Sequence, residues 1–479
     1  MNLKSFFNRP TSVWLDIPDK RPTVMKLTFC AASTLALSLA PPAFAAESAK
    51  EVTFSKQIAP IIYNNCSSCH RPGEAAPFSL LSYQDVAKRG KLIAEVTASR
   101  YMPPWKAEKT DYNFKDERRL ADDQIQLISA WVKSGMPEGN PADAPALPKF
   151  ASGWQLGEPD MIISIPDAYH VPADGPDIYR NIAIHVGNTE DKWLTAIDMK
   201  PTARPVVHHV LYFADPSRKA HLKHDGTEPG FDGIIPGNNA QGLGGWALGA
   251  QPHLQPAGLA LRLPKNSDFI VQYHFHPNGR PYSEQAQIGL YFAKSAPEHT
   301  IVGIQLPPSY SLFSGLDIPA GAKDYVIRDS LTLPAAVDAI SAGAHAHYVA
   351  KEMKMTATFP NGDVKTLLWI KDWDFAWQDR YYFDHFITLP AGTRLDSEVH
   401  WDNTAQNPRN PSNPPIEVTW GEQSKDEMGT VSLQTIPHDE ADLKVVQQAV
   451  DQHQAKTMQE RLAIDPVLKS KVMRILGGN

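Results

Sequence analysis

From about residue 150 to 440 the chain is a succession of short apolar runs broken by Pro, Gly, Asn and Asp. Met161–Ile165, Val206–Phe213, Phe269–Phe275, Ile288–Phe292, Lys354–Phe359 and Thr366–Ile370 are such runs. This spacing predicts strands of an antiparallel sandwich or jelly roll. The length suits two β domains, 153–295 and 296–438. Elsewhere the period is helical. Ile58, Ile61 and Ile62 share one face of a segment from Phe54 to Tyr63. Ile125, Ile128, Trp131 and Val132 share another, between a cap at Asp122 and a stop at Gly135. Residues 141–152 open rich in Pro and Ala and read as a linker. Leu443, Val446 and Val450 predict a helix in the tail, 439–479. The expected architecture is therefore multidomain: a small all-α domain over 52–140, two all-β jelly-roll domains, and a C-terminal helix.

The first residues change the compartment. Lys26, an apolar stretch over 27–40 and Ala43-Phe44-Ala45 form a secretory signal, with Met25 the expected start and residues 1–45 removed. The stretch is shorter than the ~20 apolar residues a spanning helix needs. The mature chain is expected to be exported to the periplasm, without a stable membrane span.

Composition adds exclusions. With 42% apolar and 21% charged residues, wholesale disorder is ruled out. The formal net charge is −7. Nucleic acid is not an expected partner, because binding it needs a positive field. Only three cysteines occur, Cys30, Cys66 and Cys69, and Cys30 lies in the signal, so a disulfide framework is excluded.

The remaining two stand in Cys66-Ser67-Ser68-Cys69-His70. C-x-x-C-H is a covalent haem-attachment pattern: two thiols reach the two vinyl groups and the next residue, His70, reaches the iron. Met102, in Arg100-Tyr101-Met102-Pro103-Pro104-Trp105, is the expected second axial ligand, and Met136 competes with it. Residues 52–140 resemble the cytochrome c family fused to larger periplasmic domains, which implies one haem c and an electron-transfer role.

Seventeen histidines are present, several in pairs: His208-His209, His274-Phe275-His276 and His345-Ala346-His347. Residues i and i+2 of a strand face one side, so His345 and His347 can share an ion. Adjacent His208 and His209 can do so only across a twist or bulge. Imidazole suits copper, zinc or iron, and a thioether selects copper(I).

Residues 399–428, above all Gly421-Glu422-Gln423-Ser424-Lys425-Asp426-Glu427-Met428, resemble the catalytic core of the copper type II, ascorbate-dependent monooxygenases. The resemblance implies two jelly rolls, one copper each, facing a solvent-filled cleft. It implies an oxygen-activating copper on His345, His347 and Met428, and an electron-transferring copper on His208, His209 and His274, with His276 as an alternative to His274. It also implies O2 and a small-molecule or peptide substrate, with a periplasmic electron donor feeding the fused cytochrome. A non-catalytic haem–copper electron carrier or redox sensor is the competing reading. Met353 and Met355 are expected in the core of a strand. Trp373 to Trp377 is expected at a packed β-core corner, with lining of the cleft as the alternative, and 229–249 in a long loop that could cover the cleft.

Overall fold

The computed structural model describes residues 51–72, 74, 76–150, 153–223, 226–233, 240–247 and 252–470. The signal segment, with Met25 and Cys30, lies outside them. The described chain is mostly β-sheet and ends in a long helix.

The helical region begins with a π-helical turn, Phe54–Ile58, that runs into the helix Ala59–Asn65. Helices Tyr83–Ala87, Gly90–Ala98 and Asp122–Lys133 follow. Ile58, Ile61, Ile62, Ile128 and Trp131 are buried, as their spacing predicts, while Ile125 and Val132 of the same face are half-buried. Asp122 does not cap the last helix. Its carboxylate is drawn off by Arg100, and Gln124 Oε1 accepts from the Ala121 N–H at 2.9 Å instead.

Residues 153–292 build two antiparallel four-stranded sheets. One runs in the order Met161–Ser164, Gln287–Phe292, Lys192–Lys200, Leu261–Leu263. The other runs Ile178–His185, Asp268–Phe275, Val207–Asp215, Gln241–Ala247. Ile163, Leu194, Val210, Val271, Tyr273 and Leu290 come from both sheets and form one core. The stretch expected as a long loop thus contributes a paired strand, Gln241–Ala247. Its glycines hid the alternation by which strands are recognised.

Residues 302–437 repeat the plan. The order Val302–Leu306, Gly429–Pro437, Val337–Ala346, Arg380–Leu389 makes one sheet. Tyr325–Thr332, Arg394–Trp401, Ala350–Thr358 and Val364–Ile370 make the other. Ile304, Ala342, Val431 and Leu433 meet Met353, Met355, Val399 and Leu368 between them, so both methionines are core residues as expected.

The helical region is strapped to this second core. Phe114 stacks on Phe383 with ring centroids 5.2 Å apart, and Trp105 meets Tyr381 edge-on at 5.0 Å. Lys115 N donates to Tyr382 O and Glu108 N to Trp369 O, each at 2.7 Å. Such rings bury 150–250 Å2 each, so the strap is an apolar anchor rather than a loose linker. The tail helix, Leu443–Ile464, docks on the same core through Val446, with Leu443 and Val450 beside it. Among the described residues no helix is long and apolar enough to cross a membrane.

Candidate functional site

His208 and His209 are adjacent on the strand Val207–Asp215, which pairs with Asp268–Phe275. The register shifts between Val207 and His209, so that His209 stands opposite His274. That irregularity supplies the bulge that two neighbouring imidazoles need to face one point. One ligand atom each from His208, His209 and His274 lies within 4.8 Å of the others. His209 Nδ1 is 3.0 Å from His208 Nδ1 and 3.4 Å from His274 Nδ1.

Asp177 explains why His274 rather than His276 joins this set. His274 Nε2 lies 2.9 Å from Asp177 Oδ2, which leaves Nδ1 for the cluster. His276 Nδ1 instead meets Asp177 Oδ1 at 2.7 Å, on a half-exposed ring. Burial would raise the Asp177 carboxyl, but hydrogen bonds from His274, His276 and Ser424 hold it well below the usual range. A carboxylate behind one ring nitrogen fixes the tautomer and orientation of a ligating imidazole. Burial lowers the His208 imidazole to about 3, and lowers His209 and His274 as well. Neutral imidazoles are the form that binds a metal.

The second set comes from the other half. His345 and His347 sit at the end of the strand Val337–Ala346 with ring centroids 5.4 Å apart. Gly429 pairs with Ala346, so the register sets Met428 beside His347. His345 Nδ1 lies 2.6 Å from Gln378 Oε1, and His347 Nδ1 lies 3.2 Å from the Asp426 carbonyl. Burial lowers His345 to about 4 and lowers His347 too.

Glu427 ties this set together and was not singled out by the sequence. Its fully buried carboxylate accepts from the His347, Val349 and Met428 N–H groups at 2.9, 2.7 and 3.2 Å, and from Trp401 Nε1 at 3.1 Å. Burial raises its pKa, and the four donors oppose that rise. Gly429 is required next to it, because a Cβ there would collide with the Trp401 ring.

The two sets are neighbours. The His209 and His345 ring centroids are 6.2 Å apart, and both rings line a cavity of about 730 Å3 that also receives His274, His347 and Met428. Phe375 stands among them, 4.7 Å from His208, 5.8 Å from His274 and 5.5 Å from His347. The run expected at a packed corner therefore does both jobs. Trp373 is buried and donates to the His347 carbonyl at 3.0 Å, while Phe375 enters the site. The halves also meet at Ser424, which donates to Asp177 and lies 3.2 Å from Tyr179 Oη.

In the helical region Cys66 closes the helix Ala59–Asn65. The Cys69 and His70 N–H groups both donate to the Cys66 carbonyl, at 3.2 and 2.9 Å, so one tight turn carries both thiols and the imidazole. Both cysteines are free, and burial pushes the Cys66 thiol up to about 12. His70 Nδ1 lies 3.2 Å from the Phe78 carbonyl, which leaves Nε2 for another partner. Met102 lies before the strap, and its neighbour Tyr101 has its ring 6.1 Å from Trp377. The Met136 sulfur is packed against Gly90 and leaves no room there for a Cβ.

No protein-family model matches the chain. Over 194 residues it is 24% identical to DBH-like monooxygenase protein 1 of Gallus gallus, a match covering 37% of this chain and 30% of that protein. The chain thus spans under a third of the length of that curated relative, and the relationship to it is distant. Solved structures similar over part of the chain include the infectious bursal disease virus VP2 subviral particle, 10% identical, with 62% of this chain and 75% of that chain covered at a TM-score of 0.17. Bacillus subtilis oxalate decarboxylase is 7% identical, with 62% and 80% covered at 0.14. At such scores neither likeness carries an argument about fold or function.

Proposed function

We propose that this chain is an exported monooxygenase that uses one haem c and two copper ions to hydroxylate a C–H bond of an organic substrate with O2. The observation that carries the reading is the convergence of His208, His209 and His274 within 4.8 Å of one another, with His209 and His274 lining one cavity together with His345, His347 and Met428. The donor chemistry fits copper: three neutral imidazoles in one set, two imidazoles and a thioether in the other. The distant likeness to a DBH-like monooxygenase supports the same class.

Copper bound there would supply oxygen activation and one-electron storage at each ion. The protein's own contribution is positional. Asp177 keeps His274 turned so that Nδ1 faces His208 and His209. Glu427 holds the His347 and Met428 backbones on one carboxylate. Gln378 fixes the His345 ring. Phe375 packs against His208 of one set and His347 of the other and holds the two rings in place.

Haem would be held by the Cys66 and Cys69 thiols, with His70 and Met102 as its protein ligands. A thioether ligand raises the potential and suits electron transfer from a periplasmic donor. The helical region reaches the second ligand set through two intervening residues: Tyr101 packs at Trp377, and the next residue, Gln378, touches His345.

The test is metal analysis with electron paramagnetic resonance on the exported chain, followed by oxygen uptake under a reductant. One iron and two coppers per chain are expected. Met428→Leu should abolish oxygen uptake while the copper signal of the three-histidine site persists. Zinc in these sites, or copper without any oxygen uptake, would overturn the monooxygenase reading.

A further inference from the structure

Two cations of the strap grip one loop of the second β half. Lys106 Nζ lies 3.1 Å from Asp372 Oδ2 and 3.7 Å from Asp374 Oδ2, and its side chain is only 9% exposed. Arg118 pairs with Asp379 at the far end of the same loop and also donates to the Pro104 carbonyl at 3.3 Å. The strap is bonded to two edge strands as well. Asp111 Oδ2 accepts from the Thr366 N–H at 2.8 Å, and the Asp384 N–H donates to the Asn113 carbonyl at 3.1 Å. Single exposed ion pairs contribute little, but a set that acts with backbone bonds and stacked rings fixes one geometry.

Between the two grips lie Phe375, Trp377 and Gln378. Tyr101, the residue before Met102, meets Trp377 edge-on with ring centroids 6.1 Å apart. Trp377 Nε1 is buried without an acceptor among the described residues. A buried donor left unpaired is unfavourable, so the indole serves here through its ring and not through its N–H. The next residue, Gln378, has Oε1 2.6 Å from His345 Nδ1, which leaves Nε2 of that ring for a metal. From Met102 to His345 the route is one peptide link, one contact of two rings, a second peptide link and one hydrogen bond.

The route found among the described residues to the three-histidine set is longer. Glu74, four residues beyond His70, pairs with Arg204 at 2.8 Å, and Arg204 is four residues from His208. That path crosses two long saturated side chains and a run of backbone at each end. Phe375 touches both sets, but the rings that meet it all belong to the β halves: His208, His274, His347 and Tyr348.

We propose that Trp377, with Tyr101 on one side and Gln378 on the other, relays electrons from the haem directly to the copper of His345, His347 and Met428. The loop 372–379 holds the helical region in place for that transfer. A redox cofactor carries the chemistry, and the protein's part is to position it. One electron moves per step: ferrous haem becomes ferric, and copper(II) at that set becomes copper(I). A one-electron donor of the periplasm reduces the haem again, and no bond or proton changes hands. The relay rests on the haem–copper reading and names the point at which its electrons enter.

The test is pulse radiolysis of the full chain loaded with haem and copper, fully oxidised and free of O2, so that no turnover contributes. The pulse reduces the haem, and its absorption band then decays as the electron leaves. In the wild type the decay should be first-order, independent of protein concentration, and matched by loss of copper(II) resonance in freeze-quenched samples. Trp377→Leu should lose this phase with haem potential, haem spectrum and copper content unchanged, and Trp377→Phe should keep part of it. Tyr101 is 43% exposed, so Tyr101→Leu removes a ring without touching the core, and it should slow the decay too. His345→Ala with His347→Ala, leaving copper at the three-histidine site alone, should abolish the phase. An unchanged decay in Trp377→Leu or in Tyr101→Leu, a phase that survives loss of His345 and His347, or no decay at all would overturn the relay. Oxygen uptake on the same samples separates the relay from the reading it rests on. Uptake in a chain whose decay ignores Trp377 keeps the monooxygenase and removes the relay. A Trp377-dependent decay without uptake keeps the relay and removes the monooxygenase.

Discussion

Asp177 Oδ2 lies 2.9 Å from His274 Nε2, while Nδ1 of the same ring lies 3.4 Å from His209 Nδ1. One carboxylate thus chooses which nitrogen of His274 faces the cluster. Partners of this kind are worth about 10–100-fold in metal affinity. Asp177→Ala should weaken copper binding at the three-histidine site by that factor, measured by competition with a copper(I) chelator. Binding at the His345, His347 and Met428 set should change less. Equal loss at both sites would mean that Asp177 acts on the fold and not on His274.

Glu427 is buried with four donors on its carboxylate. Glu427→Gln keeps the shape but turns an amide N–H group toward N–H donors. Unpaired buried donors cost about 1–3 kcal/mol each, so denaturant unfolding should show a loss of that order. X-ray absorption of the copper(I) protein should lose its copper–sulfur contribution, because the Met428 and His347 backbones are no longer held together. A variant that keeps both stability and the sulfur signal would deny Glu427 its positioning role.

The buried imidazoles make the metal-free chain acid-sensitive. His208 and His345 are lowered to about 3 and about 4, chiefly by burial. In the unfolded chain both titrate near 6.5. As pH falls through 6.5 the unfolded state takes up protons that the folded state refuses, so stability falls with it down to about pH 4 for His345 and about pH 3 for His208. Calorimetry on the metal-free chain should show Tm dropping across that window. His208→Gln should flatten the slope, and a wild-type Tm independent of pH there would contradict the burial of these rings.

In the helical region, Cys66→Ala with Cys69→Ala should remove haem that survives denaturing electrophoresis. Met102→Leu should keep the covalent haem, lower its potential and change its absorption spectrum, since a thioether ligand raises the potential. Met136→Leu should leave both nearly unchanged, because its sulfur is packed against Gly90. The opposite outcome for the two methionines would move the ligand to Met136.

The sequence by itself determined what depends on near neighbours. Alternating runs became strands at Asp268–Phe275 and Ala350–Thr358, and helical spacing placed Ile58, Ile62 and Trp131 in a core. The H-x-H pair at 345 and 347 and the C-x-x-C-H turn at 66–70 are local patterns, so they were legible. What only the tertiary structure decided depends on register between distant strands. The shift at His209 brings two adjacent imidazoles to one point, and the pairing of Gly429 with Ala346 sets Met428 beside His347. Glu427 collects donors from His347, Val349 and Trp401. These contacts join residues that lie tens of positions apart, and which pairs meet is set by how whole sheets pack, a quantity no short window of the chain contains.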